Sequence, residues 1–483
     1  MRLLQRQDRR LRPNQPIKMN AAIKHIKKNK IIFLLILLFF LAKLITILNY
    51  KIVWWDSAVY IGMGKYIFSL GKSGFWESSR PLIWPMVLGL IWKTGLNILS
   101  AGRILEIIIS GMCILFTYLI GIKIFDKKTA LLSSLFLAFS PIFFFFSGIM
   151  LTETASTLIS LIAVYFFIDK KYYTSGIFFG IAFMTRYLQL FALFSVLLAI
   201  FIGKNDEKLK NSKKLLIGLF AAIIPFLILN QILYNNPIFP LSQQLFLSNN
   251  SGWTNYHPVS YYFSQLPKEN ALYLFFIFGA VLAFRRKNAA RRLIAVIFLI
   301  LFIFFNSIRQ KEMRFLIILL PYMYLLAAFS LSNIISRLKN KPAKISLFAV
   351  IVLSFLASSA SLQAYYKSES GKADIYSELR NRLERTETIG KIWISNPAIA
   401  VSSDKKIDNL MYYPIFNEEK SNELMQDYKN ADFIFVDFCD LACRPNDTKC
   451  DESKNNILNI FRKHLTTIYS SDIEGCRQFV FSK

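Results

Sequence analysis

The 483-residue chain has few charged side chains and lacks two motifs that mark nucleotide-dependent enzymes. Charged residues make up 18% of the chain, against roughly 25% in ordinary soluble domains, and 54% of the residues are hydrophobic. Neither an Asp-x-Asp metal signature nor a glycine-rich phosphate loop occurs in the sequence. The low content of charged residues, together with the high content of hydrophobic ones, excludes a soluble globular protein. The missing motifs argue against nucleotide binding.

Long apolar runs recur from Ile31 to Leu362. A run of about 18 residues or more can cross roughly 30 Å of hydrocarbon as a helix. We predict spans near residues 31–48, 103–122, 129–146, 152–168, 174–186, 187–203, 215–234, 271–284, 293–308, 315–336 and 345–363. The chain is therefore predicted to be an all-α polytopic membrane protein with about eleven transmembrane helices across residues 31–364.

The excess of positive charge lies entirely before residue 365. Residues 1–364 hold 41 Lys and Arg against 11 Asp and Glu, whereas residues 365–483 hold 17 against 19. The excess lies in short clusters at 24–30, 123–128, 169–171, 204–214, 285–292 and 337–344. Cytoplasmic loops carry such an excess, so residues 1–30 are predicted to be a basic cytoplasmic tail and residues 49–102 the first outer loop. Solvated membrane flanks explain the charge without a nucleic-acid partner.

Residues 365–483 are more polar and are predicted to form a small extracytoplasmic α/β domain. Strand-like segments lie at 391–395 and 431–438, helical ones at 418–428 and 453–464, and "RQFVFS" closes the chain. Four of the five cysteines lie here, namely Cys439, Cys443, Cys450 and Cys476. An even number outside the cell favours two disulfides, with three possible pairings. A zinc site is the alternative, although the spacing lacks a CxxC pair.

Acidic residues are rare before residue 365, and most of those outside the cytoplasmic loops map to the outer face. The outer set is Asp56, Glu77, Glu153, Glu269 and Glu312, while Glu106 falls within a span. An ionisable group at membrane depth is costly and is a functional candidate by default. The alternative for Asp56 is a helix N-cap, and for Glu153 a first-turn acid stabilised by the helix dipole.

The outer face also carries basic residues that the positive-inside rule does not predict. They are Arg80, Arg186, Arg309, Lys311 and Arg314. Arginine and lysine bind phosphate well, arginine with two parallel hydrogen bonds. The alternative is that these side chains extend toward lipid headgroups. Acids beside phosphate-binding bases indicate attack on a group activated by a lipid phosphate, with a carboxylate as the base.

Several motifs, in this order, resemble the GT-C superfamily of polyprenyl-phosphate-sugar glycosyltransferases. The resemblance is strongest to the protein O-mannosyltransferase, aminoarabinose transferase and rhizobial galacturonosyltransferase-like branch. The motifs are "WDSAVYIGMGKYI", "SRPLIWPMVLGLIWKTG", "AGRILEIIISGMCILF", "GIMLTETASTLIS", "GIAFMTRYLQLF" and "KEMRFLIILLPYMYLLAA". Two positions depart from the pattern of many relatives: Ser57 replaces a second acid, and Glu153 replaces an aspartate.

The resemblance implies an inverting sugar transfer at the outer face. The donor would be a monosaccharide on dolichyl or undecaprenyl phosphate, and the acceptor a hydroxyl of a glycan, lipid or protein. Asp56 would be the base, with Glu153 positioning the acceptor or sharing the proton. The donor phosphate would bind Arg80, Arg309, Lys311 and Arg314, with Tyr60, Arg103, Arg186 and Glu312 in support. The sequence requires no cofactor, although a divalent metal is compatible with it.

Two other functions are compatible with parts of the pattern. A transporter or flippase of lipid-linked saccharides predicts ionisable residues at mid-bilayer and broken helices in paired halves, but only Glu106 fits and no internal repeat is evident. A non-catalytic scaffold on the outer face would leave Asp56 and Glu153 as helix-terminus residues. The glycosyltransferase remains the favoured prediction.

Overall fold

The computed structural model describes residues 29–49, 53–202, 207–252, 255–285, 288–368, 390–473 and 475–483. Helices fill most of the chain up to residue 368. They are α1 (Lys30–Asn49), α2 (Trp55–Phe68), α3 (Ile83–Lys93), α4 (Ile98–Ile124), α5 (Lys127–Ala138), α6 (Pro141–Phe146), α7 (Thr152–Ile168), α8 (Tyr172–Thr185), α9 (Leu190–Ile202), α10 (Lys208–Tyr234), α11 (Phe239–Asn250), α12 (Tyr261–Glu269), α13 (Phe275–Arg285), α14 (Ala289–Ser307), α15 (Leu320–Arg337) and α16 (Lys341–Ser368). Short 3₁₀ helices cover Tyr187–Gln189, Ala271–Leu274 and Met313–Ile318.

Each predicted span falls on helical structure. In the described part of the chain, five helices are long and apolar enough to cross a membrane: α1, α4, α10, α14 and α16. The prediction of one helix over 129–146 is wrong, because Ser140 accepts a hydrogen bond from the Phe143 amide and starts α6 with Pro141 in its first turn. The run 174–203 does divide into two helices, as predicted. The count of eleven crossings stays a prediction.

Side-chain caps explain where the helices begin on the side with the basic clusters. Asp126 accepts hydrogen bonds at 2.9 Å from the amides of Lys128 and Thr129, which starts α5 directly after α4. Asn288 caps α14 in the same way. Such tight turns make consecutive helices antiparallel neighbours, so the caps return the chain across the bundle.

The centre of the helical part is α15. Residues 320–332 of this helix are all buried, and the helix packs against α4, α5, α13 and α14. By contrast, α10 leaves Ile217, Phe220 and Ile232 exposed, as a helix facing lipid would. Because α15 directly follows the 3₁₀ helix Met313–Ile318, the bundle core holds that outer segment in place.

The C-terminal domain contains a five-stranded mixed sheet. Its strands are β1 (Ile392–Ile394), β2 (Asn409–Leu410), β3 (Phe433–Asp437), β4 (Thr466–Ile473) and β5 (Cys476–Ser482), in the spatial order β2-β1-β3-β5-β4. Strand β1 is parallel to β2 and β3, and β5 is antiparallel to β3 and β4. Helices α17 (Ile399–Ser402), α18 (Glu418–Asp427) and α19 (Thr448–His464) accompany it. The predicted α/β character is confirmed: the strand-like segments 391–395 and 431–438 fall on β1 and β3, whereas β2, β4 and β5 were not assigned as strands.

Two disulfides join the four cysteines of this domain. Cys439, just after β3, pairs with Cys476 at the start of β5, and Cys443 pairs with Cys450 at the start of α19. The prediction of two disulfides is therefore confirmed, and the structure selects one of the three pairings. Bonded sulfurs offer no thiolates, so the zinc alternative is wrong for these four residues. Cys113 is free and buried within α4.

The C-terminal domain packs directly on α2 and the segment that follows it. Val59 and Met63 of α2 and Phe75 belong to the same buried apolar cluster as Ile394 and Met411 of the domain. The backbones also touch, because the Gly74 amide donates to the Lys405 carbonyl at 3.1 Å. Gly74 has a φ of +71° and no room for a side chain, which permits this approach. The two parts share one core.

Candidate active site

Asp56 lies in the first turn of α2, which begins at Trp55. The N-cap position is occupied by Trp54, whose indole can donate but not accept a hydrogen bond, so Asp56 is not the helix cap of the alternative interpretation. Its carboxylate directs one oxygen at each of two arginines. Arg80 Nη2 lies 2.8 Å from Oδ1, and Arg314 Nη1 lies 2.5 Å from Oδ2. Both oxygens of Asp56 are therefore occupied.

Arg80 lies between α2 and α3 and connects two carboxylates. Its Nε is 3.2 Å from Oε2 of Glu77, while its Nη2 pairs with Asp56. The guanidinium also lies 5.7 Å from the ring centre of Tyr60. A side chain that extends toward lipid headgroups would hold its charge in water, whereas Arg80 directs its donors at largely buried acids. The geometry favours a site residue over a membrane-surface contact.

Arg314 lies in the 3₁₀ helix Met313–Ile318 and joins three acids. Its Nε is 2.6 Å from Glu312 Oε2 and 3.5 Å from Glu153 Oε1, and its Nη1 pairs with Asp56. These acids come from three segments that are far apart in sequence. The planar guanidinium can serve them together because its donors point in fixed, divergent directions.

Glu153 lies in the first turn of α7 and is 1% exposed. Arg186, at the end of α8, places Nη1 3.2 Å from Glu153 Oε1 and donates from the same nitrogen to Thr152 Oγ1 at 2.9 Å. Burial of a carboxylate is costly unless it is paired, and here two arginines, Arg186 and Arg314, face one oxygen. Glu153 is thereby joined to Asp56 through Arg314.

A strained turn before α7 sets the position of Glu153 relative to α2. Met150 has a φ of +61°, a left-handed conformation that is uncommon for a residue with a side chain. The first outer loop supports this turn, because Trp84 Nε1 donates to the Met150 carbonyl at 2.8 Å and Ser57 Oγ donates to the Ile149 carbonyl. Ser57, which stands where many relatives have a second acid, therefore serves as a donor to the turn that carries Glu153.

Together these residues form an acid–arginine cluster of four carboxylates and three guanidiniums. Its members are Asp56, Glu77, Glu153, Glu312, Arg80, Arg186 and Arg314. Burial alone would raise the pKa of Asp56, but the charges of Arg80 and Arg314 outweigh it and hold that pKa well below its ordinary value. Burial raises the pKa of Glu77. Asp56 is therefore ionised at neutral pH and fully engaged.

Other predicted site residues divide between the edge of the cluster and positions outside it. Tyr60 is at the edge, with its hydroxyl 3.5 Å from Thr152 Oγ1 and its ring beside Arg80. Lys311 donates to the backbone carbonyls of His257 and Ile308, so its ammonium stabilises the outer loop. The side chain of Arg309 is exposed. The structure does not bring Arg309 and Lys311 into the cluster.

Arg103 neighbours a second group of buried charges inside the spans. It lies one turn before Glu106 in α4, and both residues are within electrostatic range of Lys43 in α1. The ammonium of Lys43 donates to the Phe144 carbonyl at 2.7 Å. Glu106, the residue that fitted a transporter, thus has a cation nearby.

Sequence reasoning noted Glu77 as an outer acid but assigned it no role, and it missed Tyr412. The Tyr412 hydroxyl donates to Glu77 Oε1 at 2.7 Å across a separation of 335 residues. Thr152, the residue before Glu153, was also missed. Its position beside a candidate acid was a usable signal, whereas no motif marks Tyr412.

The cluster can bind an anion and can remove a proton. Two guanidiniums that hold the two oxygens of Asp56 can equally hold two oxygens of a phosphate, since arginine forks match both groups. A carboxylate released by such an exchange becomes available as a base. Phosphate binding and proton removal would then occur at adjacent atoms.

The chain has the fold of the GT-C superfamily of membrane glycosyltransferases, which confirms the resemblance inferred from its motifs. Residues 79–229 match the family model described as dolichyl-phosphate-mannose-protein mannosyltransferase. That stretch contains Arg80, Glu153 and Arg186 of the acid–arginine cluster. No protein with a curated description matches the sequence significantly.

Among solved structures, the chain is similar to ArnT from Cupriavidus metallidurans bound to undecaprenyl phosphate, with 11% identity and a TM-score of 0.67 over 92% of this chain and 97% of that one. It is also similar to the archaeal oligosaccharyltransferase AglB from Archaeoglobus fulgidus in complex with an inhibitory peptide and a dolichol-phosphate (12% identity, TM-score 0.59, 85% and 70% covered). A third similar structure is the mycobacterial arabinofuranosyltransferase AftD, with 11% identity and a TM-score of 0.57 over 93% of this chain and 39% of that one. The likeness lies in the fold.

Proposed function

We propose that this protein is an inverting glycosyltransferase that moves a monosaccharide from a polyprenyl phosphate to an acceptor hydroxyl on the outer face of the membrane. The observation that carries the proposal is the placement of Asp56 between Arg80 and Arg314, at 2.8 and 2.5 Å. It puts a candidate base and two phosphate-binding groups in direct contact. The undecaprenyl phosphate bound to ArnT and the dolichol-phosphate bound to AglB support a lipid donor of this class.

Donor binding would activate the base. With an arginine on each oxygen, Asp56 is a weak base for an incoming hydroxyl, because the two guanidinium charges outweigh burial and keep its pKa low. The anionic donor phosphate competes with Asp56 for Arg80 and Arg314. Once it takes one or both guanidiniums, an oxygen of Asp56 is released and its pKa rises toward the ordinary value, which improves its proton affinity.

The transfer itself is a single displacement. The acceptor oxygen forms a bond to the anomeric carbon of the donor sugar as its proton passes to Asp56. The bond between that carbon and the phosphate oxygen breaks, and the electron pair leaves with the lipid phosphate. Attack opposite the leaving group inverts the anomeric centre. Arg80 and Arg314 stabilise the charge that develops on the phosphate, a task for preorganised cations in a site of restricted solvent.

Glu153 would act beside the base. It is 1% exposed and shares Arg314 with Asp56; both arginines face its Oε1, so Oε2, which lies 3.5 Å from Thr152 Oγ1, would orient an acceptor hydroxyl or share the proton. Arg186 and Thr152 hold its present position. Arg309 and Lys311 would serve the donor from the outer loop, where both side chains lie outside the acid–arginine cluster.

The site would face the outside of the cell. Basic clusters define the opposite, cytoplasmic side, for example at Lys123, Lys127 and Arg291, whereas the acid–arginine cluster lies where segments of the predicted outer loops meet. The C-terminal domain packs on the first outer loop, so it would share that side. Its two disulfides agree with an oxidising compartment.

Replacement of Asp56 by asparagine tests the proposal. The purified protein is assayed for transfer of labelled sugar from undecaprenyl- or dolichyl-phosphate mannose to acceptors in native membrane extracts. Asp56→Asn removes the proton acceptor, and general-base assistance is worth about 10²–10⁴-fold, so we expect a loss of at least about two orders of magnitude.

The matched control is Asp169→Asn. Asp169 also forms a largely buried ion pair, with Lys123 at 2.5 Å, but on the cytoplasmic side. It should keep most of the activity, which separates loss of a base from loss of a buried pair. An Asp56→Asn variant with full transfer would contradict the catalytic role. A parent protein that moves lipid-linked sugar across vesicles but transfers none would favour the transporter.

A further inference from the structure

The C-terminal domain is bound to the first outer loop by charged and polar contacts as well as by the shared apolar cluster. Lys65 of α2 is 2% exposed, and its ammonium donates to the carbonyls of Val401 and Ser403 at 3.1 Å each. It also pairs with Asp404 at 2.8 Å. A buried lysine satisfied by three acceptors of the domain fixes how the domain sits on α2.

One residue of that domain reaches the acid–arginine cluster. Tyr412 follows β2, is buried, and donates its hydroxyl hydrogen to Glu77 Oε1 at 2.7 Å. Its ring packs edge-on against Trp55, with 4.7 Å between ring centres. Trp55 directly precedes Asp56 in α2. Tyr412 therefore contacts the cluster through Glu77 and lies against the helix that carries the candidate base.

Glu77 passes this contact to the arginine. Its second oxygen, Oε2, is 3.2 Å from Nε of Arg80, and Nη2 of the same guanidinium is 2.8 Å from Asp56. The four side chains thus form a continuous chain from the C-terminal sheet domain to the candidate base. Glu77 is 2% exposed, so water cannot readily replace either of its partners.

The hydroxyl of Tyr412 matters because a buried carboxylate needs partners for both oxygens. Without the hydroxyl, Oε1 of Glu77 is left unsatisfied, and the group must rotate or take up a proton. Rotation turns Oε2 away from Arg80, and protonation removes the charge of Glu77 that helps to orient the guanidinium. Either response changes the direction in which Arg80 presents its donors to Asp56 or to a phosphate.

We propose that Tyr412 is a positioning residue of the donor site, through which the C-terminal domain holds Glu77 and Arg80 in the orientation that binds the donor phosphate. This inference rests on the proposed glycosyltransferase function and goes beyond it, because it makes the C-terminal domain part of the site. The domain would contribute no group that touches substrate. Tyr412 would act on Arg80 through Glu77.

The test is Tyr412→Phe, which keeps the ring and its contact with Trp55 and removes only the hydroxyl. Initial rates are measured at varied undecaprenyl- or dolichyl-phosphate mannose. We expect kcat/KM for the donor to fall about tenfold, mainly through a higher KM, with the KM for acceptor unchanged. The matched control is Tyr413→Phe, which removes the neighbouring hydroxyl that bonds Ser78 at 2.9 Å. It should stay within about twofold of wild type.

A double-mutant cycle separates positioning from a general loss of structure. In a Glu77→Gln background the side chain has one acceptor oxygen for two donors, so it cannot accept from Tyr412 and Arg80 together, and adding Tyr412→Phe should change kcat/KM by less than about twofold. Thermal unfolding of each variant checks that the fold is kept. Equal activity of Tyr412→Phe and Tyr413→Phe, or additive effects with Glu77→Gln, would overturn this inference alone. A folded wild type that transfers no sugar would overturn the proposed function, and this inference with it.

Discussion

Arg314→Lys is the most informative single change, because Arg314 binds three acids with one guanidinium. Its Nη1 is 2.5 Å from Asp56 and its Nε is 2.6 Å from Glu312. Lysine keeps the positive charge but offers a single ammonium, which cannot occupy both positions. At least one charge-assisted hydrogen bond is lost, worth about 1.5–3 kcal/mol. At about 1.4 kcal/mol per factor of ten, kcat/KM for the donor should fall about 10- to 150-fold.

Lysine is chosen over alanine for a reason of stability. Alanine would leave Asp56, Glu153 and Glu312 without a shared cation, and breaking a buried pair costs about 3–5 kcal/mol. The retained charge should keep the protein folded, so that a kinetic effect can be read without unfolding. The midpoint of thermal unfolding in detergent checks this directly.

The assay measures initial sugar transfer at varied donor and fixed acceptor. The matched control is Arg291→Lys, since Arg291 donates to the Ile124 carbonyl at 3.3 Å near the turn between α4 and α5. That change loses a hydrogen bond to a neutral acceptor far from the acid–arginine cluster and should leave kcat/KM within about twofold. Equal kinetics for the two variants would refute the donor-binding role of Arg314.

Two further predictions follow from the charges and from the predicted orientation. Burial would raise the pKa of Asp56, but Arg80 and Arg314 hold that pKa well below its ordinary value. The ion pairs of Asp56 therefore persist down through the ordinary Asp range and are lost only when pH falls through the lowered pKa. Donor binding should raise the pKa of Asp56. The pH profile of kcat/KM reports the free enzyme, and that of kcat reports the donor complex. The acid limb of the kcat profile should therefore lie at higher pH than that of the kcat/KM profile. Coincident acid limbs would contradict the transfer of the arginines from Asp56 to the donor phosphate. In intact cells, a cysteine introduced at Lys210 should be shielded from an impermeant thiol reagent, and one at Ser248 should react. The native Cys113 should not react, because it is buried. Labelling at Lys210 would contradict the predicted orientation of the chain in the membrane.

Hydropathy and charge were sufficient for the architecture. Apolar length predicts helices whatever their partners, because a backbone in hydrocarbon must satisfy its own hydrogen bonds. The predicted spans therefore fall closely on helices, but α3, α11 and α12 were not predicted, and the prediction failed at 129–146, where Ser140 and Pro141 restart the helix. Runs of apolar residues likewise predicted β1 and β3, whereas β2 and β5 were not assigned as strands. The more polar β4, with "TTIYSSDI", had no such pattern and was missed.

The candidate site was predicted as a set of residues but not as a geometry. Asp56, Glu153 and Arg314 stood out because charges on a membrane protein's outer face are few, and each was singled out from its own segment. That they touch depends on how α2, α7 and the 3₁₀ helix after α14 pack together. Arg309 and Lys311 belong to the same charged segment as Arg314, yet their side chains lie elsewhere, since neighbours in a turn point in different directions.

The sequence by itself determined that this is a multi-helix membrane protein with a disulfide-bonded α/β domain and a rare set of charges near one face. Tertiary structure alone decided that Arg80 and Arg314 occupy both oxygens of Asp56, and that Tyr412 reaches Glu77 across 335 residues. The physical reason is range. Hydropathy, helix caps and charge act on residues near in the chain, whereas an ion-pair network forms only where packing brings distant segments within about 3–4 Å.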